Sequence, residues 1–488
     1  MSEKTVNDNL YGRIPVTALE ASLLGTPAFL RLGHISQLGL APMVFPAATH
    51  TRFSHSLGVM HLTGRVAEAL QLPEREIATL RVAGLLHDIG QYPLSHCIES
   101  VYRMVADTAT QQALVVDTGA GSPATPAAEL QQVGVRRNTG GREADDKHMG
   151  AALLRKRADL RDAFKGYSVD PDEVAIIVEG NPGNPLYQAI LNSDYDCDRL
   201  DYVQRDSLMT GVPYGKVDLD YLIENMVARP FPAGSTDNVL AIIRRKGLSA
   251  LEHYILSRYY MYSQVYFHKT VRSFELLAKA VFLHLAQRNQ VYSDRASILA
   301  ASDDDFNDFH DGYFYEHLRA YARSDTPDQR VGSWISRLLS RQPLSMVFEH
   351  RELATDERKS EHRHVRGVLT EPSILRGIAE RAGVDPGDII LDIVPRIDLV
   401  PLRSDVPNFQ DVLTLVERVR DDPAQSGPTV KAPWVYDDQS DRLSLLAEDP
   451  GSILTPLMDM GISILRVYTT NDTRAAALQT EIAAAVAR

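Results

Sequence analysis

The stretch Leu85-Leu86-His87-Asp88-Ile89-Gly90 sets an imidazole beside a carboxylate at the end of an apolar run. Burying both is costly unless each finds hydrogen bonds or a metal ion. Arg52-Phe53-Ser54-His55 lies upstream, and His148 and Asp194-Tyr195-Asp196-Cys197-Asp198 lie downstream. Two further ligands from such pieces would complete a mixed nitrogen and oxygen cage for a divalent ion. A second pair, His310-Asp311, ends the acidic stretch from Asp303 and reads as solvated surface.

Periodicity places these residues. His55, Val59, Leu62, Val66 and Ala69 share one helix face, so His55 points with buried aliphatics. The next helix, roughly Glu74 to Asp88, puts Ile77, Leu80, Gly84 and His87 on one face, and Gly90 supplies its stop. A helical stretch from about Tyr187 to Met209 aligns Asp194, Asp198, Asp201, Tyr202, Arg205 and Asp206 as nearly one stripe. Carboxylates one turn apart repel, and a divalent cation relieves the repulsion. An exposed acidic helix paired with Arg199 and Arg205 is the other reading of the same stripe. A tyrosine-rich helix runs from Ala250 to Arg288.

Residues 107–143, rich in Ala, Thr and Gly, read as a mobile insertion between two helices of one domain. Strand-like runs come late, at Asp388 to Val394 and Ser463 to Tyr468, before an alanine-rich helix from Thr473 to Arg488. The expected fold is mainly α: a helical core over 1–295 with a smaller α+β lobe over 296–488.

The 488 residues, 44% hydrophobic and 24% charged, have the composition of a soluble globular protein. Lys+Arg 51 against Asp+Glu 64 gives a net charge of −13, which disfavours nonspecific nucleic-acid binding. An anionic substrate would need a local basic pocket. Cys97 and Cys197 cannot form a disulfide framework and read as reduced, buried thiols. No signal core or membrane-length apolar run occurs, so no membrane partner and a cytoplasmic location are expected. The run His362-Arg363-His364 reads as a solvated charged face.

Four ordered segments carry a resemblance: Phe45 to Gly58, Gly84 to His96, Asp196-Cys197-Asp198-Arg199-Leu200-Asp201-Tyr202, and Tyr266-Phe267-His268-Lys269. Together they resemble the HD-domain phosphohydrolases of the deoxynucleoside triphosphate triphosphohydrolase type, without a SAM domain. The resemblance implies a helical HD core and release of deoxynucleoside and intact triphosphate. It implies one divalent ion (Mn, Fe, Ni, Zn or Mg) on His55, His87, Asp88 and Asp198, with Mg on the substrate phosphates. It assigns His96 and His148 to proton transfer, and Arg52, Arg199, Arg258 and Lys269 to the phosphates. Tyr202, Asp206 and Tyr266 would hold the sugar, with Gln37 and Leu38 as a wall around sugar and base. Homo-oligomerisation is implied as well.

The match breaks in two places. Gln91 stands where the family has a histidine, and Met149 where it has a carboxylate, so proton transfer rests on His96 and His148 alone. Glutamine exchanges no proton near neutral pH. Gly25, Leu30 and Gly33 replace the charged and polar residues that read a guanine nucleotide, so activation of that kind is not expected. The alternatives are a phosphohydrolase or nuclease acting on another nucleotide or single-stranded nucleic acid, and a non-catalytic nucleotide sensor.

Overall fold

A computed structural model of the chain describes residues 4–112, 145–180, 183–232, 235–325, 327–354, 361–400, 433–458 and 460–487. It is mainly helical, with a later α+β region. The N-terminal hairpin pairs β1 (Lys4–Asp8) with β2 (Gly12–Val16), bringing Asp8 opposite Gly12 at its turn. Helix α1 (Arg52–Ala69) and helix α2 (Glu74–Leu86) then pack along each other across a four-residue link. Pro73 directly before α2, with Glu74 and Glu76 in its first turn, suits a helix start, where negative charge meets the positive end of the dipole.

Helix α2 ends at Leu86, so His87 and Asp88 project just beyond the last turn rather than within it. Gly90 is not a left-handed helix stop. A Cβ there would sit 2.2 Å from the Asp146 carbonyl oxygen and 2.2 Å from the Gly150 nitrogen, so glycine is required for close packing. The neighbour it admits is α4 (Asp146–Lys156), whose N-cap Asp145 accepts from the His148 amide. Helix α3 (His96–Gln112) takes up residues 107–112 of the expected insertion; residues 113–143 lie outside the described residues.

The stretch from Tyr187 to Met209 is two helices, not one. Helix α5 (Pro185–Asn192) ends, and Asp196 caps a new helix α6 (Cys197–Thr210) by accepting from the Arg199 amide at 2.8 Å. Asp194 falls in the break, so the carboxylate stripe begins at Asp198. The tyrosine-rich stretch is divided too: α7 (Arg244–Met261) passes through a π-helical turn, Tyr262–Tyr266, before α8 (Lys269–Ala286). Such turns insert an extra residue and re-aim side chains, often at functional sites.

A four-stranded sheet runs β3 (Met226–Pro230), β4 (Asn238–Ile243), β7 (Trp434–Asp437) and β8 (Arg442–Leu445). The C-terminal lobe centres on β9 (Gly461–Thr469), buried along its whole length between β5 (Ser345–Ala354) and β6 (Ile389–Asp398), both antiparallel to it. Helices α9 (Glu361–Thr370), α10 (Pro372–Ala382) and α11 (Ala475–Val486) contribute Val365, Ile378 and Leu478 to a separate small core. Residues Ile298 to Leu344, assigned by the sequence reading to this lobe, pack their apolar side chains into the larger core instead.

Two surface readings change. Asp311 is not a solvated residue: it accepts from the Leu94 amide at 2.6 Å and the Ser36 amide at 2.9 Å. His362 is buried.

Candidate metal centre

Four residues converge from three elements. His55 comes from the first turn of α1, His87 and Asp88 from the end of α2, and Asp198 from the first turn of α6. His55 Nε2 lies 3.1 Å from Asp198 Oδ1 and 3.8 Å from Asp88 Oδ2. His87 Nε2 lies 3.5 Å from Asp88 Oδ2 and 3.9 Å from Asp198 Oδ1. One ligand atom each from His55, His87 and Asp198 fall within 4.8 Å of one another, a group that could hold a divalent ion.

The far side of each ring is fixed. His55 Nδ1 bonds Asp201 Oδ2 at 2.7 Å, and His87 Nδ1 bonds the Gly84 carbonyl at 2.8 Å. A carbonyl acceptor forces Nδ1 of His87 to carry the proton, so its Nε2 presents a lone pair to the cage. That Nε2 is buried without a hydrogen-bond partner. An orphaned buried nitrogen aimed at two carboxylates and a second imidazole fits a metal ion.

The carboxylates are held charged. Asp201 is clasped by Arg205 at 2.8 and 3.0 Å and stays at about 2, because Arg205 and His55 outweigh the effect of burial. Arg205 also reaches Asp8 at 2.9 Å. Burial would raise Asp88, but Arg52, 2.7 Å away, and the two imidazoles hold it well below the usual carboxylate range. Arg52 Nε donates to Ser95 Oγ at 2.9 Å. Its described contacts thus support a candidate ligand. Burial works against charge on His55, yet hydrogen bonds to Asp198 and Asp201 lift it to about 10.

A second group lies alongside. His96 Nδ1 bonds Glu99 Oε2 at 2.6 Å, and Glu99 also pairs with Arg103. The His96 ring is 71% exposed, while Glu99 is buried. Leu94 and Ser95, at φ 53° and 55°, occupy the left-handed region that branched and bulky residues avoid. Asp311 on the Leu94 amide and Ser36 on Ser95 Oγ hold this turn, which starts α3 at His96. Asp146 joins His96 and Glu99 within 4.8 Å. Its Oδ2 accepts from Gln91 Nε2 at 2.7 Å, and Gln91 also reaches Asp88 Oδ1 at 3.3 Å. His148 points elsewhere: its ring bonds Asp145 at 2.6 Å and lies 3.9 Å from Glu179. Met149 is core.

Beyond the cage, α6 presents Arg199, Tyr202 and Asp206 toward α7 and the π turn. Tyr202 and Tyr262 share a hydroxyl contact at 3.2 Å, and Tyr202 meets Tyr266 edge to face at 5.8 Å. Asp206 is already engaged, by Tyr266 Oη at 2.7 Å and His50 Nε2 at 2.7 Å. Arg258 is buried over the Tyr262 ring, with Nε and Nη1 lacking partners. Arg199 donates to Asp196 at 2.6 Å, leaving Nε without one. Gln37 is buried with an unpartnered Oε1, and Leu38 packs on the core. Lys269 is exposed; its carbonyl accepts from Tyr468.

Residues 52–206 match the HD domain, and residues 217–420 match the HD-associated region. The chain is 31% identical over 292 residues to the uncharacterized protein YwfO of Bacillus subtilis, covering 59% of this chain and 56% of that protein. It is 27% identical over 316 residues to the deoxynucleoside triphosphate triphosphohydrolase SAMHD1 of Danio rerio, covering 61% and 48%. The chain spans about half the length of the curated relatives it matches. Its fold matches the crystal structure of a hypothetical protein from Aquifex aeolicus at TM-score 0.65 and 23% identity, over 98% of this chain and 100% of that one. No described helix is long and apolar enough to cross a membrane.

Sequence reading placed Asp201 in the acidic stripe without giving it a role in the site, and missed Glu99, Asp146 and His50. Asp201 was visible as one turn from Asp198, and Glu99 as three residues from His96 on a helix. Nothing local marked Asp146.

Proposed function

We propose that this protein is a metal-dependent phosphohydrolase that cleaves deoxynucleoside triphosphates to deoxynucleoside and triphosphate. The observation that carries the metal half is the orphaned Nε2 of His87 facing His55, Asp88 and Asp198. An ion held by these four would polarise a phosphate ester and supply a nucleophilic water. The metal's identity is left to direct metal analysis, since two imidazoles and two carboxylates accept several divalent ions.

The chain's own residues supply the rest. Arg199 and Arg258, with unpartnered nitrogens, bind phosphate oxygens; guanidinium forks match that geometry. They give the acidic chain the local basic pocket an anion needs. His96 is oriented by Glu99, whose hydrogen bond lifts the imidazole above its ordinary range against the cost of desolvation. That shift favours the protonated imidazole, which in this reading gives its proton to the departing 5′-oxygen. Tyr202, Tyr266 and Asp206 surround the sugar, the 3′-hydroxyl taking the bond Tyr266 now makes to Asp206. Similarity to SAMHD1 of Danio rerio, whose name gives this activity, supports the substrate class. Homo-oligomerisation belongs to the same proposal and is read by analytical ultracentrifugation.

Incubating the protein with each deoxynucleoside triphosphate and Mn or Mg, then separating products by anion exchange, tests this reading. Nucleoside plus triphosphate is expected. Pyrophosphate, or no turnover with any metal, sinks it. Asp206, closed off by Tyr266 and His50, favours a second reading in which another phosphate ester is the substrate; the same panel with ribonucleotides and short single strands decides between them.

A further inference from the structure

Among the described residues, Asp146 is the one carboxylate of the second group without a cationic side chain bonded to it. Glu99 has His96 and Arg103, and Asp88 has Arg52. Among the described residues Asp146 has the amide of Gln91 alone, and it is 8% exposed. Three buried carboxylates thus crowd one place, and the one left without a counter-charge bears the largest penalty for ionising. We propose that Asp146 is the proton-holding partner of His96, a positioning residue that keeps the imidazole supplied with its proton. This rests on the phosphohydrolase reading above.

The groups facing Asp146 agree in direction. Burial acts first, the charges of Glu99 from α3 and Asp88 from beyond α2 add to it, and His96 and Lys147 oppose; the carboxyl is pushed up to about 6. Tyr92 and Arg52 also lie within its field. Asp146 stands at the first position of α4, where the dipole favours the anion, an effect smaller than that of burial this deep. Asp146 and Asp88 both accept from the Gln91 side-chain amide, at 2.7 and 3.3 Å. Gln91 cannot titrate, but it fixes Asp146 Oδ2 while the group stays within 4.8 Å of His96 and Glu99, a span one water bridges.

The proton count closes. Hydrolysis forms one P–O bond to water and breaks one to the leaving oxygen. His96 gives its proton to that oxygen, Asp146 reprotonates His96, and the proton released by the water restores Asp146. No oxidant or further reactant is needed.

Asp146→Asn keeps the acceptor for Gln91 and removes the titration. Two measurements decide. The infrared difference spectrum between wild type and D146N, followed with pH, is expected to show a neutral carboxylic acid that ionises near pH 6. The pH profile of kcat is expected to lose a limb in D146N, with kcat down by roughly 10- to 100-fold and KM and metal content unchanged; Asp146→Glu should recover part of it. A kcat loss equal at every pH, or no carboxylic acid band, overturns the proposal in favour of a structural role. Two metal ions per wild-type chain against one in D146N overturns it in favour of a cation site. Should D146N not fold, wild type against D146E gives the infrared test. Absence of turnover in wild type with the band present overturns the reaction, not the proton assignment.

Discussion

His55 faces the cage with Nε2 only because Asp201 takes Nδ1, and Asp201 is in turn clasped by Arg205. Asp201→Asn weakens that hold and permits the wrong tautomer. Metal affinity, read by chelator competition, is expected to fall about 10- to 100-fold; unchanged affinity would mean the ring is held without Asp201. Asp146 makes a different prediction. Its stabilising contribution is present below the ordinary carboxylate range and lost as pH rises through about 6. D146N never ionises, so it should be more stable than wild type above pH 6, by an advantage on the order of 3 kcal/mol that shrinks toward pH 4. A pH-independent difference would contradict this. At this scale His87 and Asp88 stood out in the sequence, since a buried His-Asp pair is unusual chemistry, whereas His55 and Asp198 were named as their partners by the resemblance. It did not show Asp146: its partner Gln91 lies 55 residues away, and the packing that joins them depends on Gly90.

Helix α1 meets α6 at Gly58, where a Cβ would lie 1.9 Å from Asp201 Oδ1 and 2.4 Å from an Arg205 nitrogen. Gly58→Ala forces the two helices apart at the point where both supply candidate ligands. A loss of about 1–3 kcal/mol in denaturant unfolding is expected, together with weaker metal binding; wild-type values for both would show that the contact yields cheaply. Periodicity made α1 legible because its apolar face repeats cleanly. The stripe from Asp194 to Asp206 misled, because spacing counts straight through a break. The available signal was Asp196 itself, a residue suited to capping, three before Arg199. The π turn at Tyr262–Tyr266 was invisible for a related reason: an added residue leaves the tyrosines present and only shifts their direction.

The lobe is tied to the core by ions as well as by apolar contact. Arg272 of α8 meets the buried Asp392 of β6 at 2.6 Å, and Arg466 of β9 donates to the Phe267 carbonyl at 2.8 Å, beside the π turn. Asp392→Ala leaves the Arg272 guanidinium with Glu275 alone, 2.7 Å away, at a cost of roughly 1.5–3 kcal/mol for the lost charged hydrogen bonds. Hydrogen exchange should then quicken in α8 and β6; protection equal to wild type would place the lobe's anchorage elsewhere. Metal removal acts on the whole fold. Chelation should lower the melting temperature and added Mn or Mg restore it, as binding to the native state alone requires; no shift with any divalent ion would argue against the cage. The lobe's strands were legible in part, β6 and β9 from their apolar runs. The packing of Ile298 to Leu344 into the larger core was not, since local pattern names an apolar face and not what it meets.

The line of contacts from His55 through Asp201 and Arg205 ends at Asp8, in the first hairpin. It joins residues nearly two hundred positions apart. A chain emerging from a ribosome makes α1 and α2 early, but these hold two imidazoles and one carboxylate with nothing behind His55. The hairpin waits, its aspartate unmatched, until α6 has left the exit tunnel. Any chain that ends before α6 therefore lacks both Asp198 and the support behind His55, so the candidate cage is complete only once α6 is in place.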